Sequence, residues 1–356
     1  MRKVCSILIC VLLVTTVFAG CIGGAQEGNY SEEQGRSIVV DTSSDGSKKE
    51  APRKESKKEA PKEQVASVVG GIVPTFEILS EHPMACMNDN DAVTVYVDVF
   101  GMYVIAPERA PIEYVEHTAH VLAQYIDNDE DGVPDDMNVL RELVENNYVV
   151  PVWDMKAREE FFEKNRGTPC EDDISMAASM YYDEDTWAFG GIEKSNAENG
   201  VPGGWDGNLE EVWHVVSNGW YRAYPEYFGE GRDSDATHTS SKLTTAMDTA
   251  RGGHFQETPR SYPKGAWYAY DDESCTYGCQ IHEYFYWILM ANIGALDPAL
   301  TDKCVYTDQM GEPYINDEWG ICTREELEQK DVLAFELFND YGFNLPTAIP
   351  DGSYQS

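Results

Sequence analysis

Residues 279–296 read CQIHEYFYWILMANIGAL, and this stretch carries helical features along its whole length. From Tyr284 to Met290 the apolar side chains would point in every direction around a helix axis. A helix that is apolar on every face has to be covered by other parts of the chain. We therefore predict a buried helix over residues 279–295.

Helical spacing of apolar residues recurs through much of the chain. Pro111 opens the stretch PIEYVEHTAHVLAQYI, and further helices are predicted at 136–147, 155–165, 207–223, 239–251 and 323–339. Residues 92–106, AVTVYVDVFGMYVIA, are rich in Val and Tyr with a glycine break, which predicts a hairpin or two strands. The long segments 166–206 and 253–277 need staples or serve a site. The predicted class is α+β, mainly helical, with a small β region near the start of the body and long disulfide-stapled loops.

The first 20 residues have the features of an export signal. Two basic residues precede a 15-residue apolar run from Val4 to Phe18, which is short of the roughly 20 residues that span a bilayer. Cys21 follows Ala-Gly, and this junction resembles the lipobox of prokaryotic lipoproteins. The resemblance implies that Cys21 is lipidated and anchors the exported protein to the outer face of a membrane. The alternative is a secreted, unlipidated protein.

Residues 21–68 predict a disordered tether, because a segment rich in Ser, Glu, Lys and Gly lacks apolar surface to offset the entropy of ordering. The body, residues 69–356, is long enough for a single globular domain or two lobes. With 63 acidic and 26 basic residues the chain carries a net charge of −37. Such a surface repels phosphate backbones and excludes nucleic acid as a partner, and it suits a saline environment or bound cations.

The cysteines after Cys21 indicate disulfides. An even number of cysteines remains in the body, and an exported chain keeps thiols oxidised. Cys304 with Cys322 is the favoured pair, since it would staple an irregular loop. Cys275 and Cys279, followed by His282, could instead form a zinc cluster.

A calcium loop is predicted at residues 127–138, DNDEDGVPDDMN. Alternate carboxylates fold one loop around a hard cation, a glycine supplies the sharp turn, and a backbone carbonyl completes the set. The predicted ligands are Asp127, Asp129, Asp131, Val133, Asp135 and Asn138. The two flanking helices are those of an EF-hand, whereas the ligand pattern is similar to the calcium loops of thrombospondin type 3 repeats. An acidic turn without a ligand is the alternative.

A second metal site is suggested by LEEVWHVV, residues 209–216. Glu210 and His214 are four residues apart, so they share one face of a helix, with Glu211 beside them. The arrangement resembles the H-E-x-x-H helix of zincin metallopeptidases, with glutamate in the first position. The resemblance implies that Glu210 and His214 bind zinc or another divalent transition metal and that Glu211 is the catalytic base. Carboxylate ligands also admit calcium, manganese or iron.

The third ligand implied by the gluzincin type is a glutamate from a later helix. Glu283 at the edge of the buried helix is the candidate, because a buried carboxylate needs a metal or a base as partner. His282 is the alternative, and His117 with His120 forms a further candidate pair. An ordinary solvated helix face is the alternative to the whole site.

Two residues near a glycine pair could contact substrate. Arg251 and His254 flank Gly252-Gly253 at a predicted helix end, where they could bind an anionic or oxyanionic group. The competing interpretation is a simple glycine C-cap.

Two functions follow from these features. One is a cell-surface lipoprotein with a calcium-binding loop and a zincin-like metallohydrolase site that cleaves peptides. The other is a non-enzymatic, calcium-stabilised surface lipoprotein that binds a ligand or partner.

Overall fold

The computed structural model describes residues 74–194, 203–230, 241–270, 272–307, 313–315 and 318–356. The predicted export signal and tether lie outside these ranges. The described helices are α1 (Ala85–Asn88), α2 (Ile112–Ile126), α3 (Met137–Glu145), α4 (Met155–Asn165), α5 (Pro169–Asp173), α6 (Asn208–Ala223), α7 (Pro225–Phe228), α8 (Lys242–Arg251), α9 (Tyr277–Asn292), α10 (Arg324–Lys330) and α11 (Val332–Asn339). The described strands are β1 (Ile78–Leu79), β2 (Val95–Val99), β3 (Met102–Ala106), β4 (Val149–Trp153), β5 (Met180–Tyr181), β6 (Ile192–Glu193), β7 (Gly204–Trp205), β8 (Val305–Thr307) and β9 (Pro313–Ile315). The α+β class, mainly helical with a small sheet near the start of the body, is confirmed.

The main sheet has the order β1-β2-β3-β4-β5. The predicted hairpin at 92–106 is present as β2 and β3, which pair antiparallel with Val97 opposite Val104. Gly101, at φ +87°, forms the turn between them. β4 pairs parallel with β3, and β5 pairs parallel with β4. The strand β4 was not expected from the sequence, although all five of its residues are buried.

Both faces of this sheet are covered. Val97, Val104 and Val150 face the main core, which most of the helices share, while Tyr96 and Ile105 face a second, smaller core. Alternate residues of a strand point to opposite faces, so the same strands contribute side chains to both cores. A strand covered on both sides reads as a continuous apolar run, which explains why VVPVW shows no alternation.

The buried helix predicted at 279–295 is α9. Every side chain from Tyr284 to Met290 is at most 3% exposed. The helix begins two residues earlier than predicted, because the Thr276 side chain caps it by accepting from the Cys279 backbone N–H. α6 packs against α9 and also against α2 and α3. The helices α6 and α9 together form the centre of the main core.

The single helix predicted at 323–339 is wrong. Asp331 separates α10 from α11, and its side chain accepts from the Ala334 backbone N–H to cap the second helix. Its carboxylate also accepts from the Trp267 indole and the Tyr284 hydroxyl. These buried partners hold Asp331 outside helical geometry. At α8 the start moves to Lys242, and residues 239–240 of that prediction lie outside the described residues.

Three disulfides staple the described part of the chain. Cys304–Cys322 is confirmed and closes the loop predicted from the sequence. Cys275 is bonded to Cys279, so the zinc-cluster alternative is wrong: both thiols are oxidised. Cys86–Cys170 joins the second core across 84 residues of sequence.

Candidate metal centre

The α6 helix is held at close range by its neighbours. Leu209, Trp213 and Trp220 on its apolar stripe are buried to within 2%. At Gly219 the backbone of α6 approaches α3 so closely that a Cβ atom would lie 2.7 Å from Val139 Cγ1. This close approach fixes the rotation of α6 about its axis and therefore the direction in which the side chains of its first turn point.

The structure brings Glu210, His214 and Glu283 together. Each offers one ligand atom, and these atoms lie within 4.8 Å of one another. His214 is 7% exposed and Glu283 is 5% exposed, while Glu210 is half-buried. His214 Nε2 and Glu283 Oε2 are 3.6 Å apart, which is too long for a direct hydrogen bond. Two residues from α6 and one from α9 thus converge on one point.

The His214 imidazole lacks a partner at this point. Its Nε2 atom is buried and has no hydrogen-bond partner. Burial, with a smaller contribution from the nearby His282, lowers the pKa of His214 to about 3, so the ring is neutral near pH 7. A neutral imidazole nitrogen that faces two carboxylates has the chemistry of a metal ligand. Buried polar atoms without a partner are uncommon and call for an ion or a water molecule.

The carboxylates around this point repel one another. Burial raises the pKa of Glu283 well above its usual range, and the charges of Glu210, Glu318 and Glu211 add to the rise. Lys303 acts in the opposite direction. A divalent cation between Glu210 and Glu283 would favour the ionised carboxylates. The donor set therefore fits a cation.

Glu211 lies beside this group and outside it. Burial raises the pKa of the Glu211 carboxyl well above its usual range, followed by the charges of Glu210 and Asp185. The Ser179 backbone N–H acts in the opposite direction and lowers the pKa of this carboxyl. A carboxyl with a raised pKa next to a metal site can accept a proton near neutral pH.

Two tyrosines lie near the centre; Tyr270 belongs to the aromatic run GAWYAYDD, which suits a peptide or sugar surface, whereas Tyr286 was not identified from the sequence. The Tyr286 hydroxyl is buried without a hydrogen-bond partner, and its ring contacts His214 edge to face at 6.1 Å. Burial and the charges of Glu283, Glu318 and Glu210 raise the pKa of Tyr270. Tyr286 stands three residues after Glu283 and so shares its helix face, a spacing that could have identified it.

The other candidate residues have separate partners. His282 faces Glu230, with Nε2 and Oε2 at 3.2 Å. His117 is paired with Asp206, whereas His120 stacks on Phe76 with ring centroids 4.0 Å apart. Neither His117 nor His120 joins the group around His214.

Arg251 and His254 also lie outside the group. Arg251 is fully buried, donates to the Phe255 carbonyl at 2.8 Å and stacks over the Phe255 ring. The exposed His254 pairs with Asp248 at 3.0 Å. Gly252 has a φ of +76° and ends α8, so the glycine C-cap is present.

The acidic loop lies between α2 and α3, as predicted. Asp127, Asp129 and Asp135 each offer an oxygen, and these oxygens lie within 4.8 Å of one another. Gly132 has a φ of +83°, and its N–H donates to Asp127 Oδ2 at 2.8 Å. Burial raises the pKa of Asp135 to about 6, and the charges of Asp129, Asp127 and Asp131 contribute. Three of the predicted calcium ligands therefore converge.

The remaining predicted loop ligands are placed differently. The Asp131 backbone N–H donates to Asp127 and Asp129, while its own carboxylate accepts from the Val133 N–H. The Val133 side chain is 57% exposed. Asn138 lies in the first turn of α3, where its amide donates to the Tyr224 hydroxyl at 3.1 Å.

No protein-family model, curated protein or solved structure matches this chain. In the described ranges, no helix has both the length and the apolar character to cross a membrane. The candidate centre is thus defined by the side chains that α6 and α9 bring together.

Proposed function

We propose that this protein is a metal-dependent hydrolase of peptides, anchored by Cys21 to the outer face of a membrane. Glu210, His214 and Glu283 would hold zinc or another divalent transition metal. The observation that carries the proposal is the buried, unpartnered Nε2 atom of His214, 3.6 Å from Glu283 Oε2, in a residue whose imidazole lies within 4.8 Å of oxygens from both glutamates. Metal ligation would satisfy that nitrogen and both carboxylates together.

The donor set supports a catalytic centre. Catalytic zinc sites use three protein ligands and leave one position open, whereas structural sites are closed by four. Three ligands converge here, one imidazole nitrogen and two carboxylate oxygens. Two carboxylates weaken the preference for zinc and also admit manganese or iron.

The chain's own groups would divide the chemistry. A divalent cation bound at this point would supply Lewis-acid activation of water and of a carbonyl. Glu211 would accept a proton from the attacking water and pass it to the leaving amine, a role that its raised pKa supports. The resemblance of LEEVWHVV to the zincin helix is what suggests peptides as the substrate.

A calcium ion in the 127–138 loop is part of the same proposal. Calcium prefers several oxygen ligands, and Asp127, Asp129 and Asp135 offer three at close range. Its role would be structural, because the loop connects α2 to α3 and both helices pack against α6.

A second function is favoured by one observation. His214 and Glu283 are only 7% and 5% exposed, which also suits a metal that stabilises the fold without catalysis. On that account the protein is a non-enzymatic, calcium-stabilised surface lipoprotein that binds a ligand or partner.

Elemental analysis of the purified protein tests whether it binds a transition metal at this centre. We expect one equivalent of a transition metal in the wild type and none in His214→Ala. His82→Ala is the matched control, because His82 is a buried histidine (6% exposed) with a pKa lowered by burial to about 4 and lies outside the centre. A wild-type protein that carries no metal except calcium would overturn the enzyme proposal.

A further inference from the structure

A buried pair of a histidine from α2 and an aspartate lies at the start of α6; the aspartate, Asp206, comes two residues before the helix begins. His117 of α2 is 5% exposed, and Asp206 is fully buried. The His117 Nε2–H donates to Asp206 Oδ2. We propose that this pair is a positioning device for the metal ligands of α6 and that the C-terminal segment holds it in place at Gly352. The inference rests on the proposed function, because it assigns a role toward the same metal.

Asp206 organises the start of α6 through both its side chain and its backbone. Its Oδ1 atom accepts from the Asn208 backbone N–H at 3.0 Å and from the Asn208 amide at 2.8 Å. Its carbonyl accepts from the Leu209 N–H at 3.1 Å. The next residue is the metal ligand Glu210. The position of the Asp206 carboxylate therefore sets the direction in which the first turn of α6 leaves the preceding loop.

The α2 helix holds the same turn at two further points. The Thr118 hydroxyl donates to Asn208 Oδ1 at 2.7 Å, and the Tyr125 hydroxyl donates to the Leu209 carbonyl at 2.6 Å. With His117, three side chains of one helix thus contact residues 206, 208 and 209. Such contacts exceed what a helix start needs for capping, and they position the turn that carries Glu210.

The C-terminal segment, residues 344–355, closes over this pair; we call it the C-terminal strap. At Gly352 an added Cβ atom would lie 2.1 Å from both Cε1 and Nδ1 of His117. The strap is fixed because the Asp351 and Gly352 N–H groups donate to Gln124 Oε1 at 2.9 and 2.8 Å. The ring of His117 is thus confined between the strap and Asp206, and only glycine leaves it room.

A matched pair of glycine variants tests the inference. Gly352 and Gly342 both have a φ of +76°, but Gly342 has no atom within 4 Å of an added Cβ. Ala at either position introduces the same backbone strain, whereas only Gly352→Ala displaces the His117 ring. Cobalt(II) is titrated, in excess calcium, into protein from which transition metals have been removed, and its visible absorption reports binding at the α6–α9 centre independently of activity.

We expect Gly352→Ala to weaken cobalt binding about 10-fold or more, since loss of outer partners of a metal site has effects of that size. Gly342→Ala should bind as the wild type does. Asp206→Asn, which keeps the shape of the side chain, should weaken binding in the same way and serves if Gly352→Ala does not fold. His117→Gln, which keeps a donor for Asp206, should recover part of the affinity that His117→Ala loses.

The possible results distinguish a failure of the positioning role from a failure of the proposed metal centre. Equal cobalt affinity in Gly352→Ala, Gly342→Ala and Asp206→Asn would overturn the positioning role and leave the metal centre intact. A wild-type protein that does not bind cobalt would overturn both. Weaker binding in Gly342→Ala as in Gly352→Ala would assign the effect to strain in the C-terminal segment and would also refute the role of His117.

Discussion

Glu210 and Glu211 are adjacent in sequence, yet the structure gives them different surroundings. Glu210 shares its face of α6 with His214 and approaches Glu283 of α9. Glu211 turns toward Ser179 and Asp185. The step of about 100° between neighbouring residues of a helix produces this difference. A ligand and a proton acceptor can therefore stand side by side without competing for one position.

Glu211→Gln separates the two roles. On the proposed function we expect the variant to retain its transition metal and to lose about 10²–10⁴ in hydrolysis rate, because the amide cannot accept the proton. Metal content and peptide hydrolysis are measured on the same preparation. Full activity in the metal-loaded variant would exclude Glu211 as the base.

The ion pair of Asp154 with Arg109 should make the free energy of unfolding depend on pH in the acid range. The Arg109 guanidinium donates to both its oxygens, at 2.8 and 2.6 Å, and holds the pKa of Asp154 well below its ordinary value of 3.8. A lowered folded-state pKa stabilises the protein above the unfolded-state pKa, and this contribution is lost as the pH falls through the folded-state pKa.

Wild type should therefore exceed Asp154→Asn in free energy of unfolding at pH 6, and the difference should narrow as the pH is lowered through about 4 and below. Denaturant unfolding at pH 6 and at pH 3 measures the difference. Asp154 caps the start of α4, and Glu163 is an exposed residue of that helix. Glu163→Gln therefore controls for the change in net charge. A difference that stays constant with pH would show that the Arg109 pair does not stabilise the fold.

At the scale of single elements, the acidic loop joins α2, α3 and the C-terminal strap. The Tyr354 hydroxyl donates to Asp127 Oδ2 at 2.5 Å, and the Asn344 amide donates to the Asp135 carbonyl at 2.8 Å. A cation held by Asp127, Asp129 and Asp135 would bind the folded state only. Such binding adds about 2.7 kcal/mol to the free energy of unfolding at a ligand concentration 100 times the Kd.

Chelation should therefore lower the Tm of the wild type. The Tm of Asp129→Ala should lie below that of the calcium-loaded wild type and should respond less to chelator. Differential scanning calorimetry with and without chelator makes the comparison. Identical melting of both proteins under both conditions would refute a calcium site in this loop.

Because α3 and α6 are in close contact, one added methyl group at Gly219 should lower the free energy of unfolding. The Cβ atom of Gly219→Ala would lie 2.7 Å from Val139 Cγ1 and 2.8 Å from the Val139 carbonyl. The helices must separate to admit it, and we expect a loss of about 1–3 kcal/mol in the free energy of unfolding. Val139→Ala in the same chain should recover only part of this loss, because the carbonyl remains. Full stability in Gly219→Ala would mean that the helices separate without cost.

For the molecule as a whole, the proposed anchor concerns the N-terminal region, which lies outside the described residues. The proposed lipid on Cys21 would tether an acidic body of residues 69–356 through a spacer of about 47 residues, which at 5–6 Å × √n gives a reach of roughly 40 Å. On the proposed function, that reach would allow the centre to act on soluble or surface-bound peptides.

Cys21→Ser should release the protein from membranes into the soluble fraction. Cys10→Ser, which changes a cysteine inside the export signal, is the matched control and should remain membrane-bound. Membrane and soluble fractions are compared by immunoblot. If Cys21→Ser remains with the membranes, the apolar run itself is the anchor.

The sequence by itself determined those features that depend on local spacing. Apolar periodicity predicted α2, α4 and α6 to within a residue at either end, because a helix exposes its pattern every three to four residues. The all-round apolar character of residues 284–290 predicted the burial of α9. Alternate aspartates and a glycine placed an acidic loop between two helices.

Only the tertiary structure decided which distant residues meet. The resemblance left Glu283 and His282 open as the third ligand, and the packing of α9 against α6 brings Glu283, about 70 residues away in sequence, to Glu210 and His214, because an apolar surface alone could pack in several registers. The same holds for Cys86 with Cys170, for His117 with Asp206, and for β4, whose two covered faces hide the alternation that marks a strand. Asp331 interrupts a helical pattern because Trp267 and Tyr284 bind its carboxylate. Local pattern reports what a segment can form, whereas packing between segments fixes which of its side chains become a site.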